Sequence, residues 1–86
     1  MPQISSFFGI IIMMFYDEHS PPHFHARYNE ERAMISIQEL KILEGNLSRR
    51  ALALVLEWAN EHRAELIDNW NSLQTTGDFS KIAPLD

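Results

Sequence analysis

At 86 residues, with 45% apolar and 22% charged side chains, the chain suffices for one small folded domain and is too apolar for a disordered tail. A net charge of −5, from 12 acidic against 7 basic residues, argues against a general nucleic-acid binder, because neutralising phosphates takes lysine and arginine. There is no cysteine and no cationic, apolar leader, which fits a cytoplasmic protein without disulfides, and the longest apolar run, Ile10 to Tyr16, is too short to span a bilayer.

Gly9 to Tyr16 is a continuous β-branched, methionine and aromatic run. A one-sided strand would alternate, so the run predicts a strand over about 9–16 buried on both faces. Asp17 to Pro22 reads as a turn. Each of its two prolines locks its own φ and pushes the preceding residue toward extended geometry. His23–Tyr28 then alternates. As a strand it turns His23, His25 and Arg27 to one face and Phe24, Ala26 and Tyr28 to the other. Asn29 to Arg32 reads as a hairpin connection, followed by a strand over about 33–38 with Ala33, Ile35 and Ile37 on one face. Gln38 to Leu43 fits either a fourth short strand or an irregular edge.

Glu44-Gly45-Asn46 breaks the strand pattern. Ser48 offers an N-cap hydroxyl, and Leu47 stands where it can staple to Leu52. Leu52, Val55, Ala59, His62, Leu66, Trp70 and Leu73 then step by three and four, which predicts one helix over about 48–74, stopped by Gly77. Such a helix is about 37 Å long, against a compact domain roughly 30 Å across at this length. It therefore overhangs, bends, or lies on a second subunit, and His62-Arg63 is the place for a bend. In the irregular tail, 75–86, the recurrence of Phe79, Ile82 and Leu85 suggests docking. The fold expected is α+β in a single domain: a small, mostly antiparallel, three- or four-stranded sheet packed against one long C-terminal helix.

These residues also carry a resemblance. Ile4-Ser5 with Phe8-Gly9-Ile10, the block Pro21-Pro22-His23-Phe24-His25 through Tyr28, and Ile35-Ser36-Ile37 belong to it. So do Leu43-Glu44-Gly45, Arg49-Arg50, Trp58, His62, Glu65-Leu66, Asn69-Trp70 and Ile82-Ala83-Pro84-Leu85. As a set they resemble a small bacterial family known as domain of unknown function 4160. The resemblance brings no catalytic residues and no cofactor. It implies one partner of a two-gene, toxin–antitoxin-like module, encoded beside a protein of domain of unknown function 2442.

Three of the four histidines, His19, His23 and His25, fall within seven residues. His23 and His25 are spaced to chelate one ion such as zinc, with His19, Asp17 or Glu18 as a third ligand. The plainer alternative, which ranks above it, is that the imidazoles bond backbone groups and shape the turn. A second chemistry divides base and acid work between His23 and His25, with Arg27 steadying phosphoryl charge, the inventory of a ribonuclease-type toxin. The acidic balance disfavours RNA. Arg49 and Arg50 stand at the wrong end of a helix for its macrodipole, so they either pair with Glu44 or contact an anion or partner. His62 and Trp70 read as core, and Trp58 as an interface anchor. The function ranked first is a non-enzymatic partner-binding module without a cofactor or membrane, its partner a neighbouring gene's product or a second copy. The alternative is the histidine-dependent ribonuclease or metal-binding protein using His23, His25 and Arg27.

Overall fold

Phe8 and Gly9 separate two apolar stretches, and both adopt positive φ, 49° and 80°. That is the geometry a two-residue hairpin turn requires, because its twist matches that of the flanking strands. Strands β1 (Gln3–Phe7) and β2 (Ile10–Met13) accordingly pair antiparallel with Phe7 opposite Ile10. The long apolar run is thus part turn and part strand. It is fully buried on one face only: Ile10 and Ile12 are inaccessible, whereas Ile11 and Met13 are half-buried. Strand β1 is absent from the sequence reading because Gln3, Ser5 and Ser6 hide its pattern. The computed structural model describes residues 2–86.

Strand β3 (His23–Tyr28) lies beside β2 and alternates as its sequence indicates. Its connection to β4 (Glu31–Ser36) is two residues long, with Asn29 at φ 56°, rather than the four expected. Tyr28 and Glu31 close the hairpin, so β4 starts two residues earlier than its hydrophobic pattern suggests. Strand β5 (Ile42–Asn46) takes in Glu44-Gly45-Asn46, which had read as a break. Gly45, opposite Ala33, permits it: φ is +83°, and a Cβ there would lie 2.3 Å from the Arg32 carbonyl oxygen. The result is one antiparallel meander in the order β1-β2-β3-β4-β5, with five strands rather than three or four.

The predicted single helix is two: α1 (Arg49–Glu61) and α2 (Arg63–Thr75). His62 leaves helical geometry at φ −120° and ψ 25°, and its N–H is shared between the carbonyls of Trp58 and Ala59. An unbroken helix of about 37 Å would exceed the longest dimension of the 34 × 26 × 22 Å domain. The break lets both halves cover the sheet, Val55, Trp58 and Ala59 from α1 and Leu66, Trp70 and Leu73 from α2. Ser48 caps α1 by accepting from the Ala51 N–H.

The core lies between the helices and one sheet face, supplied by Ile4, Ile10, Ile12, Phe24, Ala33 and Ile35 among others. The tail closes one side. Ile82 N–H donates to Ile4 O at 2.8 Å, and the Asn69 side chain bonds both backbone groups of Ser80. Trp58 is fully buried and donates its indole N–H to Ala83 O at 2.8 Å. It is a core residue under the tail and not the surface anchor its spacing suggests. Phe79 stays 39% exposed, so of the three recurring side chains Ile82 is buried and Leu85 packs partly against the core. No helix among the described residues is long and apolar enough to cross a membrane.

Candidate metal centre

The turn between β2 and β3 is held from outside. Gln74, near the end of α2, donates its amide to Phe15 O at 3.1 Å and accepts from Glu18 N–H at 3.0 Å. This clamp places the Glu18 carboxylate over the start of β3. Across a cis Ser20–Pro21 peptide the chain returns to β3, and Pro22 O accepts from Ile37 N–H, tying the turn to the end of β4.

His23 is the buried member of the histidine pair, 4% exposed, with Trp70 against its ring at 5.0 Å between centroids. Its Nδ1 lies 2.8 Å from Pro21 O. A carbonyl only accepts, so Nδ1 carries a proton, and in the neutral tautomer Nε2 is the free acceptor. That Nε2 is inaccessible and has no hydrogen-bond donor facing it. What faces it, at 3.5 Å, is Glu18 Oε1, a second acceptor. His25 Nε2 meets the same oxygen at 2.7 Å, its ring braced edge-on by Phe15 at 4.6 Å. Burial raises the Glu18 carboxyl, but the hydrogen bonds and charges of His25 and His23 together outweigh it and hold the group below its usual range. The carboxylate is therefore ionised near neutrality, and it faces the buried His23 Nε2. A positive charge settles the contact, carried either by a proton on Nε2, as an imidazolium–carboxylate pair, or by a metal ion between the two groups.

Glu18, His23 and His25 present one ligand atom each, all within 4.8 Å of one another. A tetrahedral ion with bonds of 2.0–2.1 Å separates its ligands by about 3.3 Å. The 3.5 Å separation matches that edge, and the 2.7 Å one must open by about 0.6 Å as the His25 proton leaves. The Pro21 carbonyl would then be the outer partner that orients the His23 imidazole as a ligand. Two histidines and one carboxylate are a zinc-type or iron-type set that leaves positions for water or substrate.

The other candidates are distributed differently. The third member of the group is Glu18; His19 is exposed and stands outside it. His62 sits at the helix break, bonded through Nδ1 to Glu65 at 2.6 Å and away from the strand histidines. Arg49 and Arg50 are exposed at the start of α1, in none of the four ion pairs among the described residues. Arg27 is exposed on the sheet face away from the helices. Arg32, which the sequence reading placed in a loop, lies directly opposite it. The signal for Arg32 was the two-residue turn at Asn29-Glu30, which by itself sets the register that pairs them.

The family described as a domain of unknown function (DUF4160) matches residues 9–71, and the chain belongs to it. No curated protein and no solved structure matches the chain.

Proposed function

We propose that this DUF4160 protein binds a divalent metal ion of the zinc class through Glu18, His23 and His25, in the reducing cytoplasm. The observation that supports the reading is the buried His23 Nε2, turned toward a carboxylate oxygen by the bond that Nδ1–H donates to the Pro21 carbonyl. A metal ion takes the neutral His23 Nε2 and the Glu18 carboxylate as ligands together. With three protein ligands it keeps an open position, where it polarises a bound oxygen. The same atoms weigh against a metal-free ribonuclease-type toxin. Both Nε2 atoms turn to one carboxylate, whereas general base and general acid need to face a substrate from two sides.

Calorimetric titration of zinc, cobalt and manganese into the full chain tests this. One site per chain is expected, with zinc tighter than manganese. His23→Gln and His25→Gln each weaken it more than about tenfold. A wild-type chain that takes up none of the three ions, or a His23→Gln chain that binds like wild type, removes the proposal.

A second reading is favoured by the sheet. Its face away from the helices leaves Ile11, Met13 and Met34 only half-buried, and strand β5 presents an exposed edge. Uncovered faces and edges are where partners pair. In this reading the protein is also a partner-binding module, half of the two-gene, toxin–antitoxin-like pair that the family resemblance implies. Light scattering of the chain alone and with its neighbour's product decides it; a strict monomer that ignores the neighbour refutes it.

A further inference from the structure

Arg27 and Arg32 face each other in the β3–β4 register. Opposite residues of an antiparallel pair hold their Cβ atoms about 4.5–5.5 Å apart, and like charges there repel. None of the four ion pairs among the described residues relieves either one. Both arginines line a depression of about 270 Å³ on the open sheet face. Its wall is apolar, from Ile11, Met13 and Phe15, with the Gln3 amide as a polar edge. His25 lines the same depression while its Nε2 turns to Glu18.

We infer that this depression binds a single nucleoside phosphate, the phosphate held by Arg27 and Arg32 and the nucleoside lying on the apolar wall. Two unpaired guanidinium groups side by side suit one phosphate, since each presents a planar fork of donors to its oxygens. The apolar wall with an aromatic ring suits a flat heterocycle, and an amide suits its polar edge. The volume is at the small end for ligand pockets, which fits one nucleotide. Charge argues against a longer strand. The adjoining depression, which His25, Arg32 and Met34 also line, contains Glu44. A second phosphate would meet that carboxylate, within a chain whose net charge is −5. The subsite extends the metal reading by placing a phosphate beside His25, yet its own affinity comes from the arginines and persists without metal.

The test is calorimetric titration of adenosine monophosphate and of adenosine into the metal-free full chain. The monophosphate is expected to bind at least about tenfold more tightly than adenosine. In Arg27→Gln/Arg32→Gln that advantage disappears while zinc uptake is unchanged. Arg27→Lys/Arg32→Lys keeps the charge without the fork and falls between. Removing two opposed cations relieves repulsion, so the glutamine variant melts no lower than wild type. Glu18→Gln does the reverse, losing zinc and keeping the monophosphate. Equal binding of adenosine and monophosphate, no binding of either, or a glutamine variant that binds like wild type overturns the subsite. A short oligoadenylate that binds more than about tenfold tighter than the monophosphate overturns the restriction to one phosphate. Monophosphate binding in a chain that takes up no zinc leaves the subsite standing and sinks the metal reading alone.

Discussion

Glu18→Gln separates metal binding from folding. The amide keeps an oxygen where His25 donates and removes the charge. In metal-free protein the loss is small, because the Glu18 side chain is 26% exposed. An ion pair of that exposure is worth about 0.2–1 kcal/mol. The variant should therefore melt lower by no more than about 4–8 °C, the shift that 1 kcal/mol causes in a domain of this size. Zinc changes the comparison. A ligand that binds only the native state stabilises it by about 2.7 kcal/mol at a hundred times its Kd. The wild-type midpoint then rises by more than about 10 °C. If removing the anionic ligand weakens the site a hundredfold, the same zinc concentration equals the new Kd and adds only about 0.4 kcal/mol. Thermal melts of both proteins, with a chelator and with zinc, read all four values. Equal zinc-induced rises in the two proteins would refute the reasoning. So would a metal-free loss above about 3 kcal/mol, which would make Glu18 a residue of the folded core.

Acid provides a second check on the same group. Glu18 titrates below its reference value of 4.5, so its contribution is complete above that pH and is lost as pH falls through the lowered native value. The gap between the metal-free melts of wild type and Glu18→Gln should close below pH 4.5, and a gap that widens there contradicts the assignment. Gly45→Ala and Gly9→Ala share a positive φ, +83° and +80°, but differ in space: the new Cβ would meet Arg32 O at 2.3 Å in one and Tyr28 Cε1 at 3.4 Å in the other. Urea unfolding should show about 1–2 kcal/mol lost at Gly9 and at least about 1 kcal/mol more at Gly45, and equal losses would mean that the β4–β5 ladder yields without cost. Asn69→Ala removes both bonds to Ser80. It should cost about 1–2 kcal/mol and speed amide exchange at Ile82, whereas unchanged exchange there would show that the tail docks without Asn69.

Periodicity is local, and what depends on it was legible in the chain. The change from period two to steps of three and four near Ser48 marks the α+β class, the alternation of β3, and the N-cap that the structure confirms. His23 and His25 were visible as neighbours on one strand because two residues of extended chain suffice to align them. Pairing is not local. Strand β1 reads as polar, and β5 contains a glycine; both are strands because a neighbouring strand supplies their hydrogen bonds. The place of the break, His62-Arg63, was legible as the polar interruption of the apolar stripe, whereas that the helix breaks there, and does not overhang or lie on a second subunit, is decided by the sheet that α1 and α2 must cover. Trp58 lies on the helix stripe either way, and only the tail crossing it at Ala83 decides that it is core. The third member of the cluster shows the division most clearly. Histidine type and spacing put His19 with His23 and His25, and Asp17 or Glu18 only as alternatives, whereas Gln74, whose amide holds the turn from 56 residues along the chain, sets the Glu18 carboxylate against His23 and His25.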